Sequence, residues 1–157
     1  MSNIQFELIK LDNCIFTYNG DICQLISYEG KDEDIEIPLC IQINGQEVEV
    51  RGLSPNPRLS KRAGGIFLHP EVVRSIHIPK SVKILGYGCF MECAELQNIV
   101  FEAGCVLEKV GSNAFLGCTS LQNCHFTVED QQALYWRWHG DIDQTVFDIT
   151  YLKSSGI

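Results

Sequence analysis

The feature that most limits how this chain can fold is that it copies itself at a fixed offset. GYGCFMECAELQNIVF (86–101) lies over GSNAFLGCTSLQNCHF (111–126) without a gap, with identities at Gly86/Gly111, Phe90/Phe115, Cys93/Cys118, Leu96/Leu121, Gln97/Gln122, Asn98/Asn123 and Phe101/Phe126. The offset is the same at every pair, 111 − 86 = 25. A unit of this length makes one coil whose apolar edge cannot be buried alone, so copies must stack, share a core and be covered at the ends.

A more degenerate copy lies upstream, where Phe67 precedes Val73 by six residues as Phe90 precedes Leu96 and Phe115 precedes Leu121. The Phe column is therefore 67, 90, 115. The pieces VRSIHI (73–78), LQNIVF (96–101) and LQNCHF (121–126) are each apolar at their first, fourth and sixth residues. Period-2 alternation at the end of each predicts a half-buried strand, and spacings of 23 and then 25 predict a parallel stack. Val82/Leu107 and Leu85/Val110 form a second apolar pair just before each Gly, which suits a short strand on another side of the coil. The expected fold class is mixed α/β and β-rich: a short solenoid of about three coils, with parallel strands and short helices.

The flanks read as caps on a single domain: an N-terminal β cap over 1–45, repeats over 46–126 and a helix-strand cap over 127–157. Ile4, Phe6 and Leu8 alternate. Tyr18-Asn19-Gly20-Asp21 predicts a hairpin turn between CIFTY and ICQLISY, and Asn44-Gly45 a type I′ turn between CIQI and QEVEV. The acidic run Lys31-Asp32-Glu33-Asp34 after Gly30 reads as a solvated turn. Thr127 with Asp130 three residues later predicts a capped helix through Trp138, closed by Gly140, and TVFDITYL (145–152) predicts a last strand.

The pattern apolar-x-x-Ile-x-Ile/Phe, then Val/Leu-x-x-apolar-Gly-x-x-Cys/Ala-Phe-x-x-Cys-x-x-Leu, resembles the BspA-like (type 5) subclass of leucine-rich repeats, over about 46–126. IFTYNGDICQLISYEGKDEDIEIP and INGQEVEVRGL are similar to the β-rich stretch before the first repeat in that family. Pro79 alone keeps the Pro that usually follows the strand, residues 53–63 interrupt the first copy, and 127–157 match no repeat. The resemblance implies a non-catalytic protein-interaction or adhesion module with a protein ligand, often at the cell surface. The start MSNIQFELIKLDNC, lacking a basic segment followed by an apolar one, points instead to the cytoplasm.

Composition narrows the function. Lys plus Arg number 12 and Asp plus Glu 20, so the formal charge is 12 − 20 = −8, which argues against nucleic acid or an anionic membrane as general partner. No apolar run is long enough for a transmembrane segment. The eight Cys, at 14, 23, 40, 89, 93, 105, 118 and 124, are about 5% of the chain, below the roughly 8–10% of a disulfide scaffold. Cys89-x-x-x-Cys93 and Cys118 to Cys124-His125 could be read as zinc ligands. The repeat accounts for them better, because Cys93 and Cys118 share one column, Cys89 shares a small-residue column with Ala114, and Cys124 replaces Ile99 in a core column. No metal and no cofactor is implied, and no catalytic residue is assigned. His77 and His125 share a column with Val100 between them, roughly 10 Å apart, long for a relay. The rival class is a thiol- or metal-dependent enzyme or sensor; a purely structural repeat protein is the third reading.

Tyr135, Trp136, Arg137, Trp138 and His139 could stack on sugars or bases, or simply cover the last coil. The candidate binding face is the outward side of the parallel strands: Ser75, Asn98 and Asn123 in one column, His77, Val100 and His125 in the next, with Arg74, Gln97 and Gln122 at the margin. Arg58, Lys61 and Arg62 form a secondary candidate, a basic loop that could pair with an acidic partner.

Overall fold

Short strands with apolar residues at every second position hold few hydrogen bonds each, so they persist only in ladders. A computed structural model describes residues 6–56, 65–135, 142 and 144–153. In chain order the strands are β1 (Glu7–Leu11), β2 (Cys14–Tyr18), β3 (Cys23–Tyr28), β4 (Asp34–Glu36), β5 (Cys40–Ile43), β6 (Gln46–Leu53), β7 (Ser75–Ile78), β8 (Ile84–Leu85), β9 (Asn98–Phe101), β10 (Val106–Leu107), β11 (Lys109–Val110), β12 (Asn123–Val128) and β13 (Phe147–Tyr151).

Two parallel ladders form the two sides of a β-rich solenoid. On one, β4, β7, β9, β12 and β13 lie side by side with Ile35, Ile76, Ile99, Cys124 and Phe147 in register. On the other, Leu25 of β3, Leu53 of β6, Leu85 of β8 and Val110 of β11 are aligned, and a bridge from Val110 to Leu134 adds a fifth rung. Both columns turn inward and form the core. The chain thus makes about five turns rather than the expected three. The two extra turns come from residues expected to be caps: β3 and β4 supply the first, Leu134 and β13 the last. The acidic run is correspondingly not all turn, since Asp34 begins β4.

The predicted strands at 73–78, 96–101 and 121–126 are present, with Ser75, Asn98 and Asn123 in register; of the apolar pair before each Gly, Leu85 and Val110 lie in β8 and β11, whereas Val82 is outside the strands and Leu107 lies in β10, paired with β12 on the first ladder. A third column runs between the ladders. Tyr28, Phe67, Phe90 and Phe115 follow one another with ring centroids 5.9, 6.4 and 5.7 Å apart, and Phe147 closes the row 5.1 Å from Phe115. The Phe column of the sequence is therefore the middle of a longer aromatic spine.

The short helices and the helical cap are absent among the described residues, where only 3-10 turns occur, at Pro70–Val72, Gln131–Ala133 and Gln144–Val146. Left-handed residues explain the bends: Gly88 (φ 64°) and Asn113 (φ 60°) sit at equivalent positions, as do Glu92 (φ 67°) and Gly117 (φ 84°). A right-handed helix cannot pass through them. At the C-terminal cap, Thr127 and Val128 end β12, where pairing with β10 and β13 overrides the capping-box signal. Asp130 caps only a single turn, accepting from the Gln132 amide at 2.9 Å. Trp138 and Gly140 lie outside the described residues.

Both hairpins expected in the N-terminal part are present. Asn19 Oδ1 accepts from the amides of Asp21 and Ile22 between β2 and β3, and Asn44 (φ 51°) with Gly45 (φ 79°) joins β5 to β6. β1 pairs antiparallel with β2 and covers the first turn through Ile9, while Phe6 and Leu8 face solvent; Ile4 lies outside the described residues.

Phe90→Ala and Phe115→Ala should each cost roughly 3–5 kcal/mol in chemical denaturation, as truncations of fully buried rings. Removing residues 129–157 strips β13 from β12 and Phe147 from Phe115, so that truncation should aggregate or lose its cooperative melt. A monomer melting at the parent temperature would show that the last turn does not support the rest.

Candidate interaction face

Strand alternation, which sends Ile76, Ile99 and Cys124 inward, sends their neighbours outward. Ser75, Asn98 and Asn123 stand in adjacent register positions, as do His77, Val100 and His125. All six lie on one face, Ser75 half-buried and the others exposed, and Val100 is an exposed aliphatic residue at 46%. His77 and His125 are separated by the Val100 strand, as their spacing predicts.

The register also brings in residues that sequence reasoning left out. Asp34 lies beside Ser75, whose hydroxyl donates to its carboxylate, and Glu36 lies beside His77. At the other end Asp148 lies beside His125, whose Nδ1 is 3.2 Å from Asp148 Oδ2 and 3.0 Å from its backbone oxygen. One row across the face therefore reads Glu36, His77, Val100, His125, Asp148. At the margin Arg74 pairs with Glu33 at 3.7 Å. Two shallow depressions mark the face, about 250 Å³ around Glu36, His77, Val100 and Glu102, and about 290 Å³ around Asn98, Val100, Asn123 and His125. Arg58, Lys61 and Arg62, like Trp136 to His139, lie outside the described residues. Tyr135 is exposed, with Lys109 Nζ 5.4 Å from its ring centroid.

The eight cysteines are free thiols, six of them buried. Cys118 Sγ donates to the Phe90 carbonyl at 3.1 Å and Cys105 Sγ to the Val82 carbonyl at 3.3 Å, so both serve coil-to-coil packing. Burial pushes Cys23 up to about 11, as it does Cys14 with help from Asp12, and Cys105 with Glu102 adding and Lys83 opposing. Burial, with the neighbouring Cys118, raises Cys89, Cys93 and Cys124 further. The half-buried Cys40 is raised first by donating to Glu47. Nucleophilic and metal-binding sulfur is the thiolate, and these surroundings favour the thiol. Among the described residues no three His, Cys, Asp or Glu side chains converge to hold a metal, and no helix is long and apolar enough to cross a membrane.

Two parallel ladders whose aligned positions recur every 23 to 25 residues from Ile76 to Phe147 define a solenoid of the leucine-rich-repeat class. Residues 64–134, a little under half of the chain, match the family model described as BspA type Leucine rich repeat region (6 copies), and this stretch is a repeat region of that type. The six copies belong to the description; this chain's strands make about five turns. The fold is shared with a leucine rich cell surface protein of Faecalibacterium prausnitzii (TM-score 0.61, 19% identity, 81% of this chain and 33% of that one). It is also shared with a leucine-rich repeat protein of Bacteroides capillosus (TM-score 0.61, 16% identity, 92% and 97%) and with one of T. pallidum (TM-score 0.54, 19% identity, 94% and 61%). This chain thus spans a third of the first and nearly all of the second. None of the curated proteins matches it.

The thiols carry a pH prediction. An ordinary thiol ionises at 9.0 in the unfolded chain, while Cys14, Cys23 and Cys105 hold their protons to about 11 when folded. Between those values the unfolded state binds fewer protons, so stability falls as pH rises. The melting temperature should decline steadily across that window, and at neutral pH a thiol reagent should label Cys40 first and the buried thiols only in denaturant. Rapid native labelling of Cys93 or Cys124 would contradict this.

Proposed function

We propose that this chain is a non-catalytic protein-binding module, of the interaction or adhesion kind, and that its ligand sits on the outward columns around Ser75, His77, Asn98, Val100, Asn123 and His125. The observation that carries the reading is the unbroken strip across the five-strand ladder. Hydrogen-bonding groups flank the exposed Val100 at its centre, an arrangement of polar rim and apolar middle suited to a modest protein interface and too open for a substrate pocket. The description of the F. prausnitzii relative as a cell surface protein supports a surface-facing role for this chain as well.

Capture of a partner from the native source by the immobilised protein supplies the test. Asn98→Ala combined with Asn123→Ala and His77→Ala should weaken that partner's binding at least about tenfold, the sum of a few exposed polar contacts, while leaving the melting temperature unchanged. Gln132→Ala, on the 3-10 turn, should change neither. Unchanged affinity in the triple variant removes the strip as the site.

A further inference from the structure

The two depressions on the strand face do not stand alone. The one around His77 shares Val100 with the one around Asn98, and shares Glu36 with a third of about 410 Å³ lined by Asp12, Asp32, Pro38 and Ile41 among others. Adjoining at these two residues, the three lie in a row, here called the trough, from His125 past β9, β7 and β4 to the β1–β2 turn. Three strand spacings of about 4.8 Å make its sheet part roughly 14 Å long, the reach of about four or five extended residues.

Its lining is one-sided in charge. Asp12, Asp32, Glu36 and Glu102 contribute to it, while among the described residues no Lys or Arg lines any of the three depressions. Among the cations around it, Arg74 is paired with Glu33 at the margin and Lys10 with Glu29 at 3.7 Å, while Lys31 next to Asp32 and Lys80 next to Pro79 stand outside the lining; the Lys80 backbone amide donates to Glu102 Oε2 at 2.9 Å. Two carboxylates are partly used, Asp32 by the Tyr28 hydroxyl and Glu102 by that amide. Between the acids the walls are apolar, from Leu11 and Ile41 at one end through Ile37 and Pro79 to Val100.

We propose that this trough receives an extended protein segment in which Lys or Arg alternates with apolar residues. The apolar side chains lie over Val100, Ile37 and Ile41, and the cations reach Glu36, Glu102 and Asp12 at the rim. The carboxylates select against acidic partners by repulsion and steer basic ones by attraction. The occupant is thus opposite in charge to the acidic partner that the Arg58, Lys61 and Arg62 loop suggests from sequence. The inference rests on the strand-face reading above and adds the partner's chemistry to it.

The test uses the whole protein and a fluorescent peptide alternating Arg and Leu, with a matched Glu and Leu peptide as comparison. Anisotropy should report binding of the first only, weakening with added salt, and amide NMR shifts should centre on Glu36, Val100 and Glu102. Glu36→Gln with Glu102→Gln should cost about tenfold in affinity, whereas Glu95→Gln with Glu108→Gln, which removes the same charge from exposed sites off the trough, should cost under about twofold. Equal losses in both pairs, shifts elsewhere, or no binding of the Arg–Leu peptide overturn the proposal. The captured partner separates the two readings. If it depends on Asn98, Asn123 and His77 but ignores Glu36→Gln with Glu102→Gln, the basic-segment inference fails and the strand face stands. Indifference to both sets means the face itself is not the site.

Discussion

Everything in this molecule depends on one turn's amides meeting the previous turn's carbonyls in register. Strands of two to eight residues hold too few bonds to persist singly, and each finds the remainder on its neighbours. Because side chains alternate, the same register that pairs the backbone also sorts residues: Ile35, Ile76, Ile99, Cys124 and Phe147 fall inside and their neighbours outside. A slip of one residue at any turn would put a polar column into the core. The aromatic spine from Tyr28 to Phe147 resists such a slip, since each ring packs on the ring of the next turn.

The middle of the solenoid was legible in the sequence because two adjacent copies keep both identity and spacing. The ends were not, for different physical reasons. At the start, Ile76 − Ile35 is 76 − 35 = 41 residues, against 99 − 76 = 23 for the following pair, because the β5–β6 hairpin is spliced into the turn and breaks the period. Tyr28 in place of Phe hid the aromatic column there. At the finish the period survives, 147 − 124 = 23, but along the β12–β13 pairing Thr127/Thr150 is the one identity. Packing accepts Leu134 and Phe147 by size, and sequence identity does not register that. The false helix at 127–138 came from weighing a local Thr-x-x-Asp signal above the period-2 run Cys124, Phe126, Val128, which has ladder partners on both edges.

The face shows a similar division. Its six candidate residues followed from alternation alone. Asp34, Glu36 and Asp148, which give it its charge, are neighbours of those residues only through register, 23 or 41 positions away in the chain, as 148 − 125 and 77 − 36 show. Local sequence put two of them in a generic acidic turn or a plain last strand. The cysteines went the other way: as isolated letters they suggest metal or redox chemistry, and as members of columns they are compact apolar fillers whose burial keeps them protonated.

β13 is paired along one edge, with β12, and its outer edge has no strand partner among the described residues. Since a further coil would need only the hydrogen bonds and apolar column that β12 already gives to β13, the length of such a molecule is free to change by whole units. Duplication of a 25-residue segment of the gene, spanning one period of the copies at 86 and 111, would widen the face by one strand without disturbing the turns already there. Such a protein can adjust its reach toward a ligand by recombination in discrete steps, a route closed to folds whose core is a single non-repeating assembly.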